Sequence, residues 1–287
     1  MDYKYKYLKY KSKYLAIKQH QSGGNTKINI IDCFPFFNEI ELLTIRLEEL
    51  YDVVDYFVLV ESRKTFKGNS KPLYYNDNKD KFKKYNDKII HIIIDLPNDN
   101  SQWGREIYQR NSIDLGIKKI NCNDNDIIII SDLDEIPSNN LIKKIRNGEF
   151  KIANDTYYHL LMTLYYYNVE TMSKRMIQRA TIVNYYTYRQ TNSPQTIVES
   201  KDNNKLKLIK VPDGGWHLSY FGGNDLIMDK LKNLSDAYLL KIHGNKTLDF
   251  IEKSIKDNKF IYGNEQLTHV PHKINTNLPK ALLYKIS

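Results

Sequence analysis

Asp132 and Asp134 stand two residues apart at the end of the segment Asp126-Ile127-Ile128-Ile129-Ile130-Ser131-Asp132-Leu133-Asp134-Glu135-Ile136-Pro137. At that spacing two side chains on an extended chain face the same way, while Leu133 between them faces the core. Two convergent carboxylates with no cysteine beside them suit a hard cation that prefers oxygen, Mg²⁺ or Mn²⁺. His217 is a candidate third ligand. It follows Gly214, Gly215 and Trp216, and the two glycines permit close backbone approach. Taken singly, the acids also suit a solvated turn, and His217 suits a hydrogen-bonded structural place.

The chain has no Gly-x-Gly-x-x-Gly after a strand and no Gly-Lys-Ser/Thr loop, so the common backbone cradles for phosphate are missing. A bound diphosphate then needs other neutralisation. A cation at Asp132 and Asp134 supplies it, with Arg105, Arg110 and Lys64 as candidate helpers, because a guanidinium presents a planar fork to phosphate. Arg105 and Arg110 share a helical stretch with Trp103 and Ile107. Glu61 stands at the end of a predicted strand, where a nucleoside hydroxyl or base edge can meet it. No Gly-x-Ser-x-Gly elbow occurs, which disfavours that class of serine hydrolase.

These residues need a frame. Four consecutive isoleucines bounded by polar residues predict a short strand buried on both faces, and acids beyond its carboxyl end sit where open α/β sheets bind ligands. Further strands are predicted over Lys27 to Phe34, ended by Pro35, over Tyr56 to Val60 and over Lys88 to Asp95. Helices are predicted after an Asn38 cap (Ile40, Leu43, Leu47, Leu50), over Ser101 to Lys119 and over Ser138 to Arg146. Strands alternating with helices predict an α/β fold: one domain, a mostly parallel Rossmann-like central sheet, helices on both faces. After Phe150 the chain becomes aromatic. Tyr157 to Tyr167 and Ala180 to Tyr188 read as strands that complete a mixed sheet. Asp213 to Gly223 reads as a turn, a short apolar segment and a second turn. Asp225 to Leu240 and Thr247 to Asn258 read as closing helices.

Composition narrows the classes. The net charge is +9 over 287 residues, and the first 18 residues alone carry six lysines against one aspartate. The remainder is too weakly basic to suggest nucleic acid as a partner, and it is compatible with an anionic small substrate. The two cysteines, Cys33 and Cys122, form no zinc motif, and Cys33 in an apolar run is expected to be buried. Residues 1–26 form a Tyr/Lys leader, helical or disordered, that resembles leaders of giant DNA virus proteins. The folded domain is expected over 27–287, with a nucleotide-binding half over 27–150 and an acceptor-side half over 151–287. No apolar run long enough for a membrane span and no secretory signal is evident, so a soluble, cytoplasmic protein is expected.

The segments IDCFPFFNEIELLTIRLEEL, VDYFVLVESRKTFKG, the helix with Trp103 and Arg110, IIIISDLDEIP and GGWHLSYFGG, in that order, resemble glycosyltransferase family 17. That family contains the β-1,4-mannosyl-glycoprotein 4-β-N-acetylglucosaminyltransferases. The resemblance spans about residues 28 to 280. It implies a GT-A-like fold, a UDP-sugar donor, a divalent metal, a glycan or glycoprotein acceptor and inversion at the anomeric carbon. On that reading Asp134 and Asp132 hold Mn²⁺ or Mg²⁺ with His217 as a further ligand. Glu61, Lys64, Arg105, Arg110 and Trp216 bind substrate, and Glu135 is grouped with the catalytic acids. The general base is open among Glu135, Glu170, Glu199, Asp213 and Glu265. A catalytically idle sugar- or nucleotide-binding module is the alternative, separable by measuring turnover as well as binding.

Overall fold

A computed structural model describes residues 27–98, 101–191, 193–201, 206–233, 248–262 and 265–286, with side chains to residue 283. The basic leader, residues 234–240 of the helix expected over 225–240 and residue 247 of the helix expected over 247–258 lie outside these residues. Among the described residues no helix is long and apolar enough to cross a membrane.

The first half is a layered α/β unit. Strands β1 (Ile30–Phe36), β2 (Tyr56–Ser62), β3 (Ile89–Ile94) and β4 (Ile127–Ile130) lie in the order β3-β2-β1-β4, every neighbour parallel. Helices α1 (Ile40–Leu50), α2 (Tyr74–Asp77), α3 (Gln102–Asn111), α4 (Ile113–Ile117) and α5 (Asn139–Arg146) connect and cover them. The isoleucine run shows why this sheet is buried twice. Ile127 and Ile129 enter the core that contains Leu43 and Leu47 of α1 and Ile142 of α5. Ile128 and Ile130 enter the opposite core, with Ile113 and Ile117 of α4. Cys33 is buried on that second face.

The second half joins the same sheet. β5 (Glu135–Pro137) follows β4 directly, and β6 (Thr156–Tyr166), β7 (Thr171–Ile177), β8 (Thr181–Asn184), β9 (Lys207–Ser219) and β10 (Thr268–His269) come later. β8 pairs antiparallel with β4, and the order continues β6, β7, β10. β9 runs parallel to β6 and antiparallel to β5. Helices α6 (Tyr185–Thr191), α7 (Pro194–Val198), α8 (Asn224–Asn233), α9 (Leu248–Lys256) and α10 (Lys280–Ile286) complete the chain. A third apolar cluster joins Tyr166, Tyr167 and Tyr220 to Ile227 and Leu231 of α8 and Ile251 of α9. The α/β fold class, with a central sheet between helices, is as the sequence predicts and is GT-A-like.

Several local expectations are corrected. β1 runs through Pro35 to Phe36, because its pairing with β4 has ended at Cys33 and proline tolerates a strand edge. Asn38 does not cap α1; Glu39 holds the cap position, and the Asn38 amide donates to Asp229 at 2.7 Å. The helix over 101–119 breaks at Ser112, whose hydroxyl donates back to the Tyr108 carbonyl. Residues 185–191 are helical, since Asn184 Oδ1 accepts the Thr187 N–H and starts a helix. Asp213 to Gly223 is mostly the end of one long strand, β9. Gly214 and Gly215 let that strand shift register against β6 instead of turning back.

Candidate active site

The loop between β4 and β5 is fixed from beneath by Arg46. This arginine of α1 is wholly buried. Its Nε and Nη2 atoms reach both oxygens of the equally buried Asp32, at 2.8 and 2.6 Å. Nη2 also donates to Ser131 Oγ at 2.6 Å. Nη1 donates to the carbonyls of Asp132, Leu133 and Glu135 at 2.8, 3.1 and 2.8 Å. The guanidinium lies 4.4 Å from the Phe34 ring centroid. Fork geometry lets one side chain bind a carboxylate and three loop carbonyls together, which an ammonium does not match. The sequence carried a signal: Arg46 lies three residues after Leu43 and four before Leu50, on the apolar face of α1.

With the carbonyls turned inward, Leu133 enters the core and the acids on either side face outward. Asp132 and Asp134 line one cleft with Glu135, His217 and Arg110. The cleft occupies about 850 Å³ counting its open mouth, and about 170 Å³ as a cavity. β9 supplies His217, because β5 and β9 pair Glu135 with His217, Ile136 with Trp216 and Pro137 with Gly215. A Cβ on Gly215 would lie 2.1 Å from the Ile136 carbonyl oxygen, and on Gly214 2.6 Å from Leu160 Cβ. Only glycine permits that approach, and the approach brings His217 to the acids.

Each acid is engaged. Arg110 donates to Asp132 Oδ1 at 2.7 Å and to Glu106 at 2.9 Å. Lys230 Nζ of α8 lies 2.7 Å from Asp134 Oδ2, and His217 Nε2 lies 3.5 Å from the same oxygen. Glu135 Oε2 accepts the Asp132 N–H at 3.0 Å. Burial by itself would raise the Asp134 carboxyl, but Lys230 and His217 outweigh it and hold the group well below the usual carboxylate range. Burial lowers the His217 imidazole, and Asp134 and Glu135 reverse the sign, so it titrates above its ordinary value. Glu135 is pushed up to about 7 by burial and by the Asp132 charge.

Other expected site residues lie elsewhere. Glu61 is buried. Its carboxylate accepts the Tyr75 N–H at 3.0 Å and pairs with His91 Nε2 at 3.0 Å, clamping the segment after β2. Lys64 donates to Asn98. Arg105 donates to the carbonyls of Phe66, Pro97 and Asn98, so it braces two loops and does not line the cleft. Trp216 alternates with His217 along β9 and faces the other way, its indole N–H on Asn277, beside a separate cavity. Sequence reasoning missed Lys230, Arg179, Phe36 and Phe37, all on the cleft. Lys230 lies on an ordinary amphipathic helix, and Arg179 lies in the short link between β7 and β8. Neither position differs in sequence from a solvated surface.

The donor set can be tested against a divalent ion. Five carboxylates (Glu39, Glu106, Asp132, Asp134, Glu135) face three permanent cations (Arg110, Arg179, Lys230) on the cleft wall. The oxygen and imidazole donors are of the types that a hard divalent cation takes. His217 Nδ1 is buried without a hydrogen-bond partner. Among the described residues no three His, Cys, Asp or Glu side chains converge as metal ligands. The place nearest Asp134 is held by the Lys230 ammonium.

The sequence is similar to the β-1,4-mannosyl-glycoprotein 4-β-N-acetylglucosaminyltransferases of Rattus norvegicus and Homo sapiens, 31% identical over 128 residues in each case. The Mus musculus protein of the same name is 30% identical over the same length. The aligned part is 42% of this chain and 24% of each relative, so the chain matches about a quarter of their length. The pattern of Glycosyltransferase family 17 matches residues 4–262, nearly the whole chain and every element of the cleft. The chain therefore belongs to glycosyltransferase family 17.

Proposed function

We propose that the protein transfers N-acetylglucosamine from UDP to a hydroxyl of a glycan or glycoprotein acceptor, with inversion at the anomeric carbon. The observation that carries the reading is the meeting of Asp132, Asp134 and His217 with three cations on one cleft at the tip of β4. Phe37, just beyond β1, offers aromatic surface to the uracil. Arg179 and Lys230 face the same space and suit a pyrophosphate. Arg110 fixes Asp132, and Arg46 fixes the loop, so the acids do not reorganise as charge develops. Asp134 and Asp132, with His217 as a further ligand, would hold Mn²⁺ or Mg²⁺, which supplies Lewis-acid stabilisation of the leaving diphosphate when bound.

A thermal-shift titration tests the reading. A ligand that binds only the folded chain adds about 2.7 kcal/mol at a hundredfold excess over its Kd. For a domain of this size that is a rise of roughly 5 °C in Tm. UDP-N-acetylglucosamine with Mn²⁺ should give this rise, and Asp134→Ala should abolish it. An unshifted wild-type Tm across UDP-sugars with Mn²⁺ and Mg²⁺ contradicts the proposal.

A further inference from the structure

A transfer reaction needs two substrates, and the cleft has a second compartment. It occupies about 380 Å³ counting its mouth, less than half of the first. The two share a wall made by Arg110, Asp132, Glu135 and Arg179. Asp134, His217 and Lys230 belong to the large compartment alone, and Trp103, Gln195 and Glu199 to the small one alone. We infer that the small compartment takes the acceptor sugar, with Trp103 as its platform and Glu199 as the general base. The inference rests on the glycosyl-transfer reading above.

Trp103 is 45% exposed although it stands on a helix packed against the sheet. An indole face open to solvent at the rim of a polar pocket suits the C–H face of a pyranose ring, while the polar wall suits its hydroxyls. The Gln195 carboxamide adds a donor. Its Oε1 accepts from Arg110, while its buried Nε2 has no hydrogen-bond partner.

The base must be ionised, have a lone pair free and face the acceptor from the side opposite the leaving group. The other carboxylates on the two compartments are engaged. Asp132 and Glu106 are held by Arg110, Asp134 by Lys230, and Glu39 by the Asn38 N–H and Lys230. Glu135 is buried against the Asp132 amide. Glu199 is exposed at the end of α7, and among the described residues its carboxylate has no recorded partner. The remaining sequence candidates sit elsewhere. Glu170 pairs with His272, Glu265 with Ser173 and Arg175, and Asp213 lines the cavity beside Trp216. In the step, the acceptor oxygen forms its bond to the anomeric carbon as the bond to the UDP oxygen breaks. The electron pair leaves with UDP. The hydroxyl proton passes to the Glu199 carboxylate and then to water.

The test uses the full chain, UDP-N-acetylglucosamine with Mn²⁺, and UDP release measured with water alone and with methyl β-mannoside. Glu199→Gln should lower kcat by about 10²- to 10⁴-fold, the span for a general base. The donor KM and the UDP-induced thermal shift should stay within twofold of wild type. Trp103→Ala should raise the KM for the mannoside about tenfold with donor KM unchanged. A Glu199→Gln protein within threefold of wild-type kcat overturns the base assignment. An unchanged mannoside KM in Trp103→Ala overturns the platform. If wild type binds UDP-sugar yet releases no UDP, the transfer reading fails and this inference falls with it.

Discussion

At the scale of residues, the cleft depends on a side chain that does not face it. Arg46 converts three backbone carbonyls and the Asp32 carboxylate into a fixed floor beneath Asp132 and Asp134. Removing one partner of a wholly buried ion pair strands the other charge, at a cost of about 3–5 kcal/mol. Arg46→Met should therefore lose that much in urea unfolding. Arg46→Lys, which keeps charge but not the fork, should fall between Met and wild type. Equal stability of Arg46→Met and wild type would show the floor to be dispensable. A second residue gives a pH signature. Burial lowers the His159 imidazole below its ordinary 6.5 in the fold, and its Nε2 meets Ser200 Oγ at 2.9 Å. The unfolded chain then binds more protons than the fold below about pH 6.5, so stability is full above that value and falls as pH drops through it. Urea midpoints between pH 7.5 and 5.5 should decline less steeply in His159→Gln than in wild type. Identical slopes would refute the assignment.

At the scale of elements, β5 and β9 are the pair that turns the loop after β4 into a site, since their register sets His217 opposite Glu135. Gly215 sits at φ +143°, and a Cβ there meets the Ile136 carbonyl. Gly215→Ala should cost about 2–3 kcal/mol, from strain and forced separation of the strands, and should weaken UDP binding. Gly148→Ala, at φ +75° with open space around it, is the control at about 1 kcal/mol. If the two variants unfold at one urea concentration, close approach is not what holds β5 to β9. The elements also show what a single sequence reveals. The parallel strands were legible because each is mostly apolar and alternate residues serve opposite cores. β9 was not, because two glycines inside it signal a turn as strongly as a register shift. β5 was hidden because three residues, one of them proline, leave no periodicity to read.

At the scale of the whole molecule, one sheet carries both halves, so residues 85 and 96 positions apart meet at a single mouth. Asp132, Asp134, His217 and Arg110 were legible because acids ending a buried strand, a glycine-flanked histidine and an arginine on an apolar helix each break a local pattern. Lys230 and Arg179 were not, because only tertiary structure distinguishes them from surface cations. Glu61 and Arg105 broke the same patterns for structural reasons: buried charge signals a partner, and the partner here is the protein itself. The central proposal is that Asp134 at the tip of β4 serves a sugar nucleotide. The most direct measurement is the rate of UDP release from UDP-N-acetylglucosamine with Mn²⁺, compared between wild type and Asp134→Asn, which keeps shape and removes charge. The account predicts measurable release by wild type and a fall of about 10²-fold or more in the variant, roughly 2.7 kcal/mol of lost transition-state stabilisation. Equal rates in the two proteins would contradict it.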